Sequence, residues 1–237
     1  MARLGSASES VIVASGMNAD DDGETGKRAI VRSARDLIGF ATGIVILVLS
    51  TLPVDEHRLS ALERAVFRFF NAFPAFLYQP VWVVMQLGNI VVVPLATLAA
   101  LLARRFRLAA SLATAGMLTY FGAKLVKRVV TRGRPSSLVD DVNIHGAAAH
   151  GLGFVSGHAG VAVALAVVAF PYLGPRSRWV AVGLAGFVCV ARVYVGAHLP
   201  LDVVGGAALG LAAGFGVRLV FGRPAPRSAS LRAAPCS

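Results

Sequence analysis

The chain has 237 residues, of which 56% are hydrophobic and only 15% are charged, and its mean hydropathy is +0.70. About a quarter of the residues of a typical soluble domain are charged, so this composition excludes an ordinary soluble protein and indicates a membrane protein. The net charge of +11 does not indicate a nucleic-acid partner, because the basic residues lie between apolar segments rather than along one face of a soluble chain.

The two ends of the chain are polar. Residues 1–36 contain an acidic cluster followed by basic residues, and no apolar segment there is long enough to span a bilayer. We predict a disordered cytoplasmic tail over these residues and a second one over 222–237. Residues 37–221 between them are predicted to form one six-span domain. Cys189 lies in an apolar segment and Cys236 at the extreme C-terminus, so a structural disulfide is not expected.

The first apolar segment, residues 37–53, follows a basic stretch and is short enough to resemble the hydrophobic region of a signal peptide. No clear small-x-small cleavage site closes it before the next charged residue, which favours an uncleaved first span. Residues 55–74 then place apolar side chains at helical spacing, with charged residues on the other side at Glu63, Arg64 and Arg68. This pattern predicts an amphipathic helix at the membrane interface.

Five further apolar segments approach the roughly 20 residues needed to cross a bilayer core. They are residues 80–103, 108–125, 157–173, 180–195 and 201–221. The predicted fold is therefore all-α, an integral membrane six-helix bundle with an interfacial amphipathic helix between spans one and two. Arginines concentrate in the N-terminal tail and after spans two, four and six, which predicts that both termini are cytoplasmic. The excess of arginine over lysine, with abundant Ala and Gly, is typical of GC-rich bacterial genomes, so a bacterial inner membrane is expected.

One loop does not follow the rule that positively charged loops lie on the cytoplasmic side. Between spans three and four, five basic residues fall within eleven positions: Lys124, Lys127, Arg128, Arg132 and Arg134. A charge at the bilayer centre costs about 2.5–3.5 kcal/mol even on the lenient insertion scale. These side chains must therefore lie at the interface or in a wet cavity, and such an exception indicates a functional cause.

Three short segments carry nearly all the polar groups beside the apolar spans. They are KRVVTRGRP at 127–135, VSGH at 155–158 and RVYVGAHLPLD at 192–202. In the six-span topology all three emerge on the same outer face, so they can converge on one site. In the first segment, Lys127 and Arg134 supply cationic donors suited to phosphate oxygens. The alternative for this segment alone is a basic anchor at the membrane interface.

The second segment places Ser156 where the N-cap of span four belongs. Its hydroxyl and the free backbone N–H groups of Gly157 and His158 then point outward with the positive end of the helix dipole. A helix N-terminus of this kind is an anion site. A helix cap beside an ordinary interfacial histidine would look the same.

The third segment places His198 and Asp202 four residues apart at the start of span six, with Pro200 suited to the first turn of the helix. Asp202 can accept the imidazole N–H, which fixes the tautomer and makes the other ring nitrogen a better nucleophile. The alternative here is a polar cap on span six.

Together the three segments resemble the three-part signature of the type 2 phosphatidic acid phosphatase family, membrane lipid phosphatases related to vanadium haloperoxidases. The resemblance covers about residues 37–221. It implies a set of phosphate-binding residues: Lys127, Arg134, Arg192, Ser156 and Gly157. It also implies three catalytic residues: the general acid His158, the nucleophile His198, which forms a phosphohistidine, and its orienting partner Asp202. The family needs no metal or other cofactor.

Two positions depart from the family pattern. Val155 stands where proline usually precedes Ser-Gly-His, and Ala191 stands where serine usually precedes the third-motif arginine. Neither position supplies a proton or a charge in the family's chemistry, so activity is expected to survive.

Other polar and small residues have simpler explanations. Four loop residues could be imagined as metal ligands but match no ligand spacing, so a solvated loop is favoured: Asp140, Asp141, His145 and His150. Gly206, Gly210 and Gly214 form a stripe of small residues on span six. This stripe is expected to let helices of the same bundle approach closely, rather than to mark a dimer seam.

The expected partners are the bilayer and a membrane lipid substrate, and no nucleic acid is expected. Whether the protein forms a homo-oligomer is left open by the sequence. A polyprenyl carrier, undecaprenyl or decaprenyl phosphate or diphosphate, is ranked first as substrate. Phosphatidic acid and phosphatidylglycerophosphate are the alternatives, as is a catalytically silent phospholipid-binding or transport protein. The apolar spans argue against a soluble haloperoxidase-like enzyme.

Overall fold

The computed structural model describes residues 30–55 and 58–224. In that part of the chain the helices are α1 Ala34–Thr51, α2 Ala61–Asn71, α3 Tyr78–Met85, α4 Val92–Leu102, α5 Phe106–Val129, α6 Pro135–Leu138, α7 Gly157–Ala169, α8 Pro175–Tyr194 and α9 Pro200–Phe221. Short 3-10 turns lie at Ala75–Leu77, Gln86–Gly88 and Phe170–Tyr172. Strands β1, Ile30–Val31, and β2, Arg223–Pro224, pair antiparallel.

The ordered domain begins earlier than predicted. Residues 30–36, expected in the N-terminal tail, form β1 and the first turn of α1, where the Ser33 hydroxyl accepts the N–H of Arg35. A serine at this position satisfies one of the free N–H groups that begin every helix. Residues 223–224, expected in the C-terminal tail, form β2. The predicted tails over 1–29 and 225–237 lie outside the described residues.

Helix α9 lies at the centre of the bundle, packed along α1 and α7, while α5 packs against α7, α4 and α9. Small residues make the α7–α9 approach possible. A Cβ atom at Gly206 would collide with the Ser156 carbonyl oxygen, and one at Gly210 with the Gly160 carbonyl oxygen. The small-residue stripe on α9 therefore packs within the bundle, as expected, and brings the starts of α7 and α9 together.

Three helices in the described ranges are long and apolar enough to cross a membrane, namely α1, α8 and α9. A fourth span is formed if α3 and α4 are taken together, although they are bent by 64°. The continuous span predicted over 80–103 is therefore wrong in detail. Asn89 is extended and its side chain accepts the N–H of Val91, which replaces the helical ladder at the break. The count of six spans stays a prediction.

One charged residue of the amphipathic helix α2 does not lie where its pattern suggests, although Arg64 and Arg68 are exposed as expected. Its buried side chains are Glu63, Phe67 and Asn71, whereas Leu62 is 76% exposed and Phe69 is 64% exposed. Apolar side chains need no burial in protein when lipid can cover them, but a carboxylate there must find a partner inside. Glu63, expected on the polar outer side, therefore turns into the bundle.

Candidate active site

The structure brings the three predicted segments together at one end of the bundle. The Ser156 N–H donates to the Asp202 carbonyl oxygen at 2.8 Å, which joins the start of α7 to the start of α9. The Arg134 Nη1 donates to the Ala197 carbonyl oxygen at 2.7 Å, which joins the loop after α5 to the loop before α9. These two bonds fix the segments to one another in space.

His198 and Asp202 form a buried pair at the start of α9. The imidazole Nδ1 lies 3.5 Å from Asp202 Oδ2, and His198 is 3% exposed while Asp202 is fully buried. The same carboxylate oxygen accepts the N–H of Leu199 at 2.9 Å. Asp202 is the third residue of a helix that begins with Pro200, so its charge also favours the positive helix end. The carboxylate is thereby held in one orientation toward the imidazole.

Burial lowers the pKa of His198 to about 4. The hydrogen bond with Asp202 opposes this shift, and the positive charges of Arg192 and Arg134 add to it. His198 is therefore neutral near pH 7. With Nδ1 directed at a carboxylate, the favoured tautomer carries its proton there and leaves the Nε2 lone pair available for attack.

A buried ion network behind this pair was not recognised from the sequence. Arg132 is fully buried; its guanidinium donates to both carboxylate oxygens of Glu63, at 3.0 and 2.6 Å, and to Asp202 Oδ1 at 3.1 Å. Glu63 Oε1 also accepts the N–H of Leu201 at 3.0 Å. Arg132 thus connects α2 to the carboxylate of Asp202, and the charge on Asp202 stays compensated without solvent.

The only sequence signal for this network was a charge in an unexpected place. Arg132 is one of five arginine and lysine residues crowded after span three, and Glu63 is a carboxylate in a mostly apolar helix. Nothing in the spacing connects the two positions, which are 69 residues apart. Only the folded chain shows that they pair.

Arg192 lies at the end of α8, where its Nη1 is 3.3 Å from the sulfur of Met85. Its Nε is buried and finds no hydrogen-bond partner among residues 30–55 and 58–224. The side chain interacts electrostatically with His158 and His198. Its backbone carbonyl accepts the N–H groups of Ala197 and His198, both at 3.2 Å. Arg192 therefore shapes the turn that carries His198 and leaves a guanidinium donor for an anion.

Lys127 and Arg134, predicted phosphate ligands, also hold the loop between α6 and α7, residues 139–155, which we call the covering loop. Lys127 Nζ donates to the carbonyl oxygens of Leu152 and Gly153, at 2.8 and 3.0 Å. Arg134 Nε donates to those of His150 and Gly151, at 3.0 and 3.1 Å. Lysine has three N–H donors and arginine five, so both residues can hold the loop and still contact a phosphate oxygen.

At the start of α7, Ser156 occupies the N-cap position and is fully buried. Its hydroxyl makes no hydrogen bond to any part of the chain that the structure describes, although a serine at this position commonly caps the helix. Gly157 and His158 begin the helix, where backbone N–H groups have no intrahelical partner. The buried hydroxyl and the free N–H groups, with Arg192 close enough to interact with His158, form a polar cradle suited to an anion.

The two family departures are accommodated by packing. Val155 is fully buried and packs with Phe154 and Ala123, in the space left by the missing side chain of Gly205. Ala191 is 2% exposed and packs in a cluster with Met85.

The covering loop does not assemble a metal site. His145 stacks on the Tyr194 ring with centroids 4.4 Å apart, and His150 is exposed. Within the described ranges no three His, Cys, Asp or Glu side chains are grouped as a metal site requires. The expectation that the reaction needs no metal stays a prediction.

A model of the PAP2 superfamily matches residues 104–225, which include all three segments and more than half of the chain. The chain belongs to the PAP2 superfamily. The resemblance drawn from the three motifs is thereby confirmed. The protein is a multi-pass membrane lipid phosphatase, a hydrolase acting on phosphate esters.

Two solved structures are similar to this chain. The crystal structure of Aquifex aeolicus LpxE has a TM-score of 0.63 and 26% identity, over 67% of this chain and 95% of that chain. The crystal structure of a transmembrane PAP2-type phosphatidylglycerolphosphate phosphatase from Bacillus subtilis has a TM-score of 0.61 and 20% identity, over 76% of this chain and 94% of that chain. At 20% identity the second likeness shows the fold alone. No curated protein matches the chain.

Proposed function

We propose that this PAP2 protein hydrolyses a polyprenyl phosphate or diphosphate through a phosphohistidine intermediate on His198. The observation that carries the proposal is the buried His198–Asp202 pair facing three cationic side chains. A neutral imidazole oriented by a carboxylate is a nucleophile. Cations and helix N–H groups around it stabilise the charge of a phosphoryl group in transfer.

The phosphate head would be bound by Lys127, Arg134 and Arg192, with the Ser156 hydroxyl and the Gly157 N–H completing the cradle. Guanidinium groups match phosphate oxygens in pairs, whereas the lysine ammonium acts as a point charge. The lipid chains would lie between helices, whose outer surfaces are apolar. Such binding fixes phosphorus in line with the nucleophile, which is where most of the rate enhancement of phosphoryl transfer arises.

In the first step the His198 Nε2 lone pair forms a bond to phosphorus as the bond to the leaving oxygen breaks, and His158 donates a proton to that oxygen. In the second step His158 accepts a proton from water, whose oxygen attacks phosphorus and displaces the His198 nitrogen. Inorganic phosphate leaves, and both histidines return to their starting states. Asp202 stabilises the positive charge that the imidazole ring acquires in the phosphohistidine, because it lies against Nδ1.

The polyprenyl carrier is ranked first because the predicted outer-face location is where a recycled carrier diphosphate appears. Phosphatidic acid and phosphatidylglycerophosphate carry the same phosphate chemistry, and the similar Bacillus subtilis protein is a phosphatidylglycerolphosphate phosphatase. The cradle reads the phosphate, and none of its side chains selects a lipid tail.

The test is phosphate release by purified protein in detergent with EDTA present. Polyprenyl diphosphate, polyprenyl monophosphate, phosphatidic acid and phosphatidylglycerophosphate are compared, beside His198→Ala and its matched control His150→Ala. We expect the fastest release from a polyprenyl substrate, abolished in His198→Ala and within about twofold of the parent in His150→Ala, since loss of a nucleophile removes most of the catalysis.

Faster release from a glycerophospholipid would replace the proposed substrate but keep the reaction. No release from any lipid by folded protein would instead support a silent phospholipid-binding protein. Release that EDTA abolishes would contradict the metal-independent step.

We further propose that the active site lies on the outer face of a bacterial inner membrane and both termini lie in the cytoplasm. Ser136 and Ser177 are exposed and lie beside opposite ends of the bundle. Single cysteines at these positions are expected to react with an impermeant thiol reagent in intact cells only at position 136. Labelling at 177 alone would reverse the orientation, and labelling at both would contradict the topology.

A further inference from the structure

A large cavity lies between α7, α8 and α9, toward the end of the bundle opposite the catalytic segments. Its volume is about 1450 Å³, larger than the roughly 300–1,000 Å³ of sites for small molecules. Val167, Leu211 and Phe215 are among the apolar side chains of its wall. Its far rim includes Arg218, sixteen residues after Asp202 on α9, which is roughly 24 Å along a helix. The rim is therefore separate from the phosphate cradle.

The cavity is strongly basic at this rim. Among the described residues that line it are five arginines and a single carboxylate, Asp36. The arginines are Arg35, Arg105, Arg178, Arg218 and Arg223. The carboxylate is already paired, with Asp36 Oδ1 at 2.6 Å from Arg218 and Oδ2 at 3.2 Å from Arg223. Even with Arg35 left out of the balance, four arginines face one carboxylate among the described residues of the lining. This excess of positive charge at the mouth of an apolar cavity favours an anion there.

Donors near Arg218 are also left over. The Tyr172 hydroxyl and the Arg218 Nε are buried and have no hydrogen-bond partner in the described part of the chain. Arg105 and Arg218 both interact electrostatically with the Tyr172 hydroxyl. The Arg218 guanidinium lies over the Phe215 ring, 4.9 Å from its centroid, at the boundary between the basic rim and the apolar wall. Buried polar groups are normally satisfied, so these donors point to a polar ligand at that boundary.

We propose that the cavity binds an anionic phospholipid, distinct from the substrate, with its phosphate among the rim arginines and its acyl chains between α7, α8 and α9. An apolar wall with a cationic rim at one end matches the two parts of such a lipid. Membrane leaflets rich in anionic lipids attract basic segments in the same way. A substrate tail reaching down from His198 would fill the apolar wall but would bring no anionic group to the basic rim.

The test measures lipid binding in the His198→Ala protein, so that no turnover occurs. Purified protein in neutral detergent at low salt is titrated with phosphatidylglycerol, and bound lipid is counted by native mass spectrometry while the melting temperature is recorded. We expect one tightly retained phosphatidylglycerol and a higher melting temperature. Phosphatidylcholine should bind several-fold more weakly, and inorganic phosphate at the same concentration should give no shift, since it leaves the wall unfilled.

Two matched pairs of variants locate the site. Arg105→Gln removes a rim charge, and Arg104→Gln removes its neighbour, which does not line the cavity. Gly186 lines the cavity and Gly183 does not, and a Cβ at either position meets no atom within 4 Å. Gly186→Leu therefore fills cavity space, whereas Gly183→Leu changes helix propensity equally.

We expect Arg105→Gln to weaken phosphatidylglycerol binding about threefold, because an exposed charge is screened, and Gly186→Leu to weaken it about tenfold or more. Both controls should bind as the parent does. Equal binding of phosphatidylcholine, or variants that match their controls, would overturn the proposal. Because the test measures binding of phosphatidylglycerol and not phosphate release, its result is independent of whether the release assay identifies the proposed substrate.

Discussion

At each end of the bundle a buried aspartate contacts an arginine, but the second side chain that contacts the aspartate differs. Asp202 contacts Arg132 at 3.1 Å and the imidazole of His198 at 3.5 Å. Asp36 contacts Arg218 at 2.6 Å and Arg223 at 3.2 Å. An arginine stays protonated whatever happens near it, whereas a histidine can give up its proton and attack. The arginine pairs therefore join helix ends, whereas the contact with His198 supplies a group that is able to react.

The sharpest way to break this comparison is to make the same change at both ends. Asp202→Asn is expected to lower phosphate release on the order of 10³- to 10⁴-fold, because the amide no longer stabilises the imidazole in the required tautomer. Asp36→Asn is expected to lower the free energy of unfolding by about 3 kcal/mol, since two arginines lose a buried partner. Release assays and denaturant unfolding of both variants measure these effects.

The comparison holds if turnover per folded molecule falls far less in Asp36→Asn than in Asp202→Asn. Equal losses of turnover at the two ends would show that the carboxylate acts through the fold alone. An active Asp202→Asn protein would remove Asp202 from the mechanism.

A second test concerns the ion network behind the catalytic pair. Arg132→Met leaves Glu63 and Asp202 as two buried carboxylates without their shared cation, which should cost about 3–5 kcal/mol of stability. Adding Glu63→Gln removes one of these charges, so the double variant should recover part of the loss. Denaturant unfolding of the two single variants and the double variant measures the coupling. Additive losses would show that Glu63 and Arg132 act independently.

The smallest expected effect is on the pH dependence. Since burial lowers the pKa of His198 to about 4, below the ordinary value of about 6.5, the neutral nucleophile predominates above pH 4. The contribution of His198 to kcat/KM should fall about twofold at pH 4 and tenfold for each further unit of acid. Measurement between pH 3.5 and 8, with parallel checks of folding, tests this. A His198-dependent acid limb near pH 6.5 would contradict the buried environment.

The sequence indicated the chemistry better than the architecture. The four-residue spacing of His198 and Asp202 predicts their contact, because residues i and i+4 face the same way at a helix start. The order of the three motifs, with apolar segments between them, was enough to predict a common site. The break within the second span was missed, since Gln86–Asn89 lies inside an apolar segment and hydropathy alone does not register a bend.

The family and the helical membrane class thus followed from the sequence itself, as did the prediction of the reactive residues, because each depends on residue type and short spacing. The Glu63–Arg132 pair, the inward position of Glu63 on α2 and the basic cavity beyond α9 were decided only by tertiary structure. A charged side chain in an apolar helix can face headgroups, water or a distant partner with the same local pattern. Which one it meets depends on helices that pack from far along the chain, where no short-range signal records the contact.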